Sequence, residues 1–202
     1  MSVFTTYLQL GFFHIVSWQA TDHLTFLLAL CAPYVLADWR RVVALVTSFT
    51  LGHSLTLALA TLDVVRVNGP LVEALIPVTI LLTALVNIYR AGPALGLAPM
   101  RPAGAVVWAA PNLLAAAFGL IHGLGFSSYL RELLGGERRP VTELLSFNLG
   151  VELGQLLVVG AILLLGWALL RDLHVARRDW VLVVSGAALG VSALLLLQMA
   201  AG

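Results

Sequence analysis

The chain has 202 residues, 60% of them hydrophobic and 10% charged, with a mean hydropathy of +0.99. Soluble domains run at about 45 to 50% apolar and about 25% charged, so a water-soluble fold is excluded, and a formal net charge of +1 leaves no basic surface for nucleic acid. The one cysteine, Cys31, sits in an apolar run and supports neither a disulfide framework nor a zinc ribbon.

All eleven cations are arginine and the first is Arg40, so residues 1–39 lack the positive n-region of a secretory signal peptide and the start is expected to be retained. Backbone amides in hydrocarbon must be paired within the chain, which permits helices or a closed barrel. The Leu/Ala-rich runs lack the period-2 alternation of a barrel, so an all-α bundle of transmembrane helices is expected, as a single integral membrane domain over 1–202. Taken in order, residues 3–18 are apolar but short, fit for a tilted seventh span, a re-entrant arm or an interfacial helix. Six further runs, 21–37, 42–65, 70–90, 105–133, 141–170 and 179–199, reach the length needed to cross about 30 Å of hydrocarbon. Between them lie Asp38 to Arg41, Asn68-Gly69-Pro70, a linker from Gly92 to Pro102, Gly135 to Pro140, and Arg171 to Asp179.

Alternating sides along these spans places Arg40, Arg41, Arg90, Arg101, Arg171, Arg177 and Arg178 on one face, against Arg66, Arg131, Arg138 and Arg139 on the other. That excess makes the first face the cytoplasmic one in a multi-pass membrane protein. Membrane lipid is the surrounding partner, and oligomeric state is left open.

Most of the acidic residues fall in loops or at helix ends, and Glu73 and Glu143 lie in first turns, where a carboxylate suits the helix dipole. Asp22 and Glu152 sit inside apolar sequence, where a charge costs about 2.5 to 3.5 kcal/mol at the bilayer centre. His14, His23, His53 and His122 also lie in apolar segments, and only His174 is in a charged loop. One such histidine is ordinarily a helix-to-helix hydrogen bond; four with two carboxylates point to a site. Asn148, Glu152 and Gln155, spaced i, i+4, i+7, share one helix stripe, for which a packing seam with polar glue is the bland account. His122 stands among three glycines, and His53 beside Gly52 and between Thr50 and Ser54. A chain break near Ser17 to Thr21 would bring His14 to Asp22 and His23. Thr83 and Asn87 add a weaker stripe that inter-helix bonding would also explain.

Imidazoles with carboxylates and no thiol cluster suit a borderline divalent metal, nickel, cobalt or zinc, without choosing among them. Permeation calls for several reversible shells, whereas catalytic zinc needs three firm ligands and an open water position. At these residues the chain resembles the HupE/UreJ family of hydrogenase- and urease-associated bacterial membrane proteins. The matching parts are His14 to Asp22-His23 followed by Leu24 to Leu30, Phe49-Thr50-Leu51-Gly52-His53-Ser54-Leu55-Thr56-Leu57, His122-Gly123-Leu124-Gly125-Phe126 and Phe147 to Gln155. The opening is longer than the family's compact His-Ile-x-x-Gly-x-Asp-His and lacks that glycine.

The resemblance implies secondary uptake of nickel or cobalt, with the His/Asp motif of the first helix taking up the metal. The expectation is therefore a transporter rather than an enzyme, with His14, Asp22, His23, His53, His122 and Glu152 as metal ligands in one hydrated site. Asn87, Asn148 and Gln155 support them. The competing readings are an intramembrane zinc hydrolase, for which no His-Glu-x-x-His motif is present, and a noncatalytic accessory subunit.

Overall fold

A computed structural model describes residues 2–91, 110–134 and 140–201. Among them the chain forms α1 (Val3–Val16), α2 (Thr21–Cys31), α3 (Trp39–Thr61), α4 (Gly69–Ala91), α5 (Ala110–Gly125), α6 (Ser127–Leu134), α7 (Val141–Arg171) and α8 (Arg177–Ala201), with a single 3₁₀ turn at Leu36–Asp38 before α3. The fold is all-helical, as the composition requires. Arg101, Arg138, Arg139, the 92–102 linker, the 135–139 stretch and the start of the 105–133 run lie outside the described residues.

Among the described residues, six uninterrupted spans do not emerge. Four helices, α3 with its preceding turn, α4, α7 and α8, are long and apolar enough to cross a membrane, and a fifth crossing exists if α5 and α6, bent by 47° at their junction, count as one. The expected span 21–37 is the clearest departure, since α2 has only 11 residues, about 16 Å of helix. Pro33 ends it: proline offers no amide, so the Ala29 carbonyl four residues earlier has no helical donor. The Asn87 side chain from α4 supplies one, its Nδ2 donating to that carbonyl at 2.7 Å. Residues 3–18 fold as a helix of 14 residues, about 21 Å, which cannot cross alone. The bend between α5 and α6 falls at Phe126, just past the helix-weakening glycines Gly123 and Gly125.

Packing is organised by two glycine-notched pairs. In α3 against α5, a methyl built on Gly119 would overlap the Phe49 carbonyl oxygen and one on Gly52 the Ala116 carbonyl oxygen, so the two backbones touch. Thr56 Oγ1 crosses the same seam to donate to the Leu120 carbonyl at 2.7 Å. In α1 against α7, Gly11 faces Phe147 and Gly150 faces Leu8 and Phe12 in the same way. Contacting positions rise together in both pairs, so each is parallel. Small residues spaced by four allow this approach where lipid offers no hydrophobic drive between helices.

Among the described residues, the arginines that bond across elements fall at the ends where alternation puts them. At one end Arg177 Nη2 donates to the Pro33 carbonyl at 2.5 Å and Arg178 Nε to the Ala91 carbonyl at 3.0 Å, tying α8 to the ends of α2 and α4. Arg40 and Arg41 open α3 there. At the other end, Asp63 pairs with Arg66 at 2.5 Å and with Arg131 of α6 at 3.1 Å.

Candidate metal site

The break at residues 17–20 places the end of α1 beside the start of α2. The His14 and His23 ring centroids lie 4.7 Å apart, although nine positions separate them in the chain. The residues that lengthen this opening are accommodated by looping outward, with Trp18 92% exposed. His23 is 5.2 Å from His122 of α5, and His53 of α3 is 6.3 Å from His14 and 6.2 Å from His23, ring centre to ring centre. Four histidines from four helices thus gather in one place. A cavity of about 570 Å³ opens onto three of them, lined in part by His14, Asp22, His23, His122 and Phe126; His53 lies behind its lining.

Hydrogen bonds orient two of these rings. A carboxylate only accepts, so His23 Nδ1, 3.1 Å from Asp22 Oδ1, donates to it. That leaves His23 Nε2, buried and without a hydrogen-bond partner, as the nitrogen a metal would use, metal binding requiring the neutral ring. Thr79 Oγ1, with one proton, lies 2.7 Å from the Ile76 carbonyl and 3.0 Å from His122 Nε2; with that proton on the carbonyl it accepts from Nε2. That leaves His122 Nδ1 as the free lone pair, again buried and unpartnered. A second group that fixes the tautomer and exposes the opposite nitrogen is what imidazole ligands to metals regularly have. His53 is fully buried with neither nitrogen partnered, and His14 Nε2 is also buried and unpartnered. Each such orphan costs about 1 to 3 kcal/mol in a dry interior.

These nitrogens do not form a preset cage. The His23 ring stands at 68° to His14, 73° to His53 and 84° to His122. Among the described residues no three His, Cys, Asp or Glu side chains are arranged to hold one metal ion as they stand. Edge-to-face packing offers the lone pairs singly.

The expected residues of α7 are bonded to α3 or within α7. Glu152 Oε1 accepts a hydrogen bond from Thr47 Oγ1 at 2.7 Å, and Gln155 Oε1 lies 2.7 Å from Thr50 Oγ1. Asn148 donates from Nδ2 to the Leu144 carbonyl of its own helix at 2.8 Å and keeps Oδ1 unpartnered. Asn87 serves the α2 terminus, as the inter-helix alternative for it anticipated. Three residues that sequence reasoning passed over belong with the cavity. Glu73, read as a first-turn carboxylate, lines it, and Pro77 removes the amide that would bond the Glu73 carbonyl; a proline four residues after an acid was the available signal. Thr79 orients His122 and had no signal. Phe126 lies over His14, ring centroids 4.1 Å apart, and stacks on Phe147 at 5.2 Å.

Comparison with curated proteins and with solved structures finds no match. The family model described as HupE / UreJ protein matches residues 1–199. With the histidine-bearing segments all inside that match, the chain belongs to the HupE/UreJ family.

Proposed function

We propose that the protein is a multi-pass permease of the bacterial inner membrane that moves a divalent transition metal, nickel or cobalt, through the histidine cluster. The membership in a family associated with nickel and cobalt transport supports this, as do the apolar helices. The observation that carries it is the pair of imidazoles, His23 and His122, each tied at one nitrogen and bare at the other inside the bundle. His14 and His53 add further nitrogens, and Asp22 supplies the negative charge that lowers the cost of bringing a dication into low dielectric. Lone pairs offered one or two at a time suit an ion that must leave again. In this reading α1 and α2 together make one broken span, and the end with Arg40, Arg41, Arg90, Arg171, Arg177 and Arg178 faces the cytoplasm.

The test is nickel and cobalt flux into proteoliposomes carrying the purified full chain. Wild-type protein is expected to give metal-dependent flux, and His23→Ala and His122→Ala to lose about 10- to 100-fold in metal affinity or flux while keeping the wild-type melting temperature. Intact protein that passes neither ion overturns the reading. Zinc retained stoichiometrically through purification, with no flux, would favour the hydrolase instead.

A further inference from the structure

A second cavity, of about 520 Å³, lies at the Arg66 and Arg131 end of the bundle, and no histidine lines it. Residues on both sides of the α5/α6 bend enclose it, among them Leu124, Ser128, Arg131 and Glu132, together with the start of α4. Its two arginines are bonded to the Asp63 carboxylate, whereas Glu73 and Glu132 make no ion pair among the described residues. With Asp63 counted, three carboxylates stand against two guanidiniums, a balance that draws cations.

Glu73 and Gly125 line both this cavity and the histidine cavity, so the two spaces adjoin at that pair. Val72 lines the outer space alone, and Ile76, one helical turn further along α4, the inner space alone. Gly125 faces α4 across that step: a methyl built on it would come 2.8 Å from Ile76 Cδ1 and 3.9 Å from Val72 Cγ1, with nothing else within 4 Å. Gly52, Gly119 and Gly123, the other glycines between α3 and α5, would each drive a methyl into a carbonyl oxygen of the facing helix. Backbone contact therefore accounts for those three and not for Gly125, although each glycine in a helix costs about 1 kcal/mol against alanine. What Gly125 leaves clear is the boundary between two cavities.

We infer that the outer cavity is the vestibule by which the divalent cation enters, and that Gly125, set against Val72 and Ile76, is the neck between it and the histidine cavity. This rests on the permease reading. The vestibule lies at the end opposite Arg40 and Arg41, so the ion comes from the side away from the cytoplasm. A barrier between two wells sets the rate of crossing and leaves the equilibrium between them untouched. The neck accordingly governs how fast the histidines load, and the imidazoles govern how tightly they hold.

The experiment measures nickel influx into proteoliposomes and equilibrium nickel binding on the same purified full chain, for wild type, Gly125→Ala, Gly125→Val, and Gly125→Val combined with Ile76→Ala. Influx is expected to fall in order of side-chain size, by about tenfold or more for Gly125→Val, with nickel affinity within about twofold of wild type. Ile76→Ala, which empties the space the valine enters, restores influx in the double variant. Independently, Ser128→Cys places a thiol in the vestibule wall for a bulky, water-soluble reagent that the buried Cys31 escapes. The labelled protein is expected to carry nickel about threefold or more slowly than the same protein unlabelled, at unchanged affinity. Gly125→Val with wild-type influx overturns the inference, as does one whose influx, affinity and melting temperature fall together without rescue by Ile76→Ala, the mark of a packing role. If Gly125→Val does not fold, Ser128→Cys decides, and influx indifferent to the label overturns the inference. Absence of influx in the wild type would instead remove the permease reading and the neck with it; wild-type influx with indifferent variants removes the neck alone.

Discussion

The two glycine-notched pairs and the α4·α8 pair are built from similar residues and use them in opposite ways. In the first, glycines bring backbones into contact and their helices carry histidines with free nitrogens: His14, His53 and His122. In the second, Gly186 and Gly190 of α8 have no atom within 4 Å of a built methyl, and polar side chains other than Ser185, whose Oγ is buried without a partner, close bonds. Ser192 there donates to the Leu189 carbonyl at 2.9 Å, and Asn87 of α4 to the Ala29 carbonyl. Polarity inside a membrane bundle therefore has two meanings. A group whose bond is closed holds helices together, and a group left open at a seam that glycines have tightened is available to a ligand.

The sharpest break of this contrast is Gly119→Ala against Gly190→Ala. The first drives a methyl into the Phe49 carbonyl, where only backbone can yield. Overpacking of this kind costs about 3 kcal/mol or more, and a loss of folded protein in detergent is expected. The second enters open space and should hold or raise the melting temperature, in line with the roughly 1 kcal/mol that alanine gains over glycine in a helix. Equal melting of the two variants would erase the distinction between the pairs. Next in size is Asn87→Leu, which strands the Ala29 carbonyl at the end of α2. A stability loss of about 1 to 3 kcal/mol is expected, with nickel flux per folded molecule unchanged; a flux defect without a stability defect would move Asn87 into the site.

The smallest effect belongs to the far end, where the Arg66 hydrogen bond, aided by Arg131, holds the Asp63 carboxyl below its ordinary range. A carboxyl whose value is depressed on folding contributes fully above its unfolded value, near about 3.9, and loses that contribution as pH falls through the folded one. Melting followed from about pH 6 to about pH 3 should therefore drop slightly more for wild type than for Asp63→Asn. The pair is exposed, so added salt should shrink the difference.

Much of the architecture could be read before any coordinates. Long apolar runs and arginine-bearing breaks placed α3, α4, α7 and α8, because length and hydropathy are what the bilayer selects. The 21–37 span was overrun because Ala32 to Leu36 is as apolar as the helix before it, and only Pro33 marked the stop. The histidine cluster was legible as a set of costly residues, and the break that brings His14 to His23 was foreseeable from Ser17 to Thr21. The partners of the α7 stripe were not. That Glu152 and Gln155 meet Thr47 and Thr50 depends on how α3 crosses α7, and no periodicity within one helix encodes a crossing between two.

The outward loop at residues 17–20 has a consequence for how such motifs should be searched. Glycine contacts with α7 fix where α1 stops, and the Asn87 tie anchors α2, so the two imidazoles meet whatever length of chain is threaded between them. The count of residues from His14 to Asp22 is accordingly slack, and a pattern written with a fixed gap would pass over chains that build the same pairing with a longer tether.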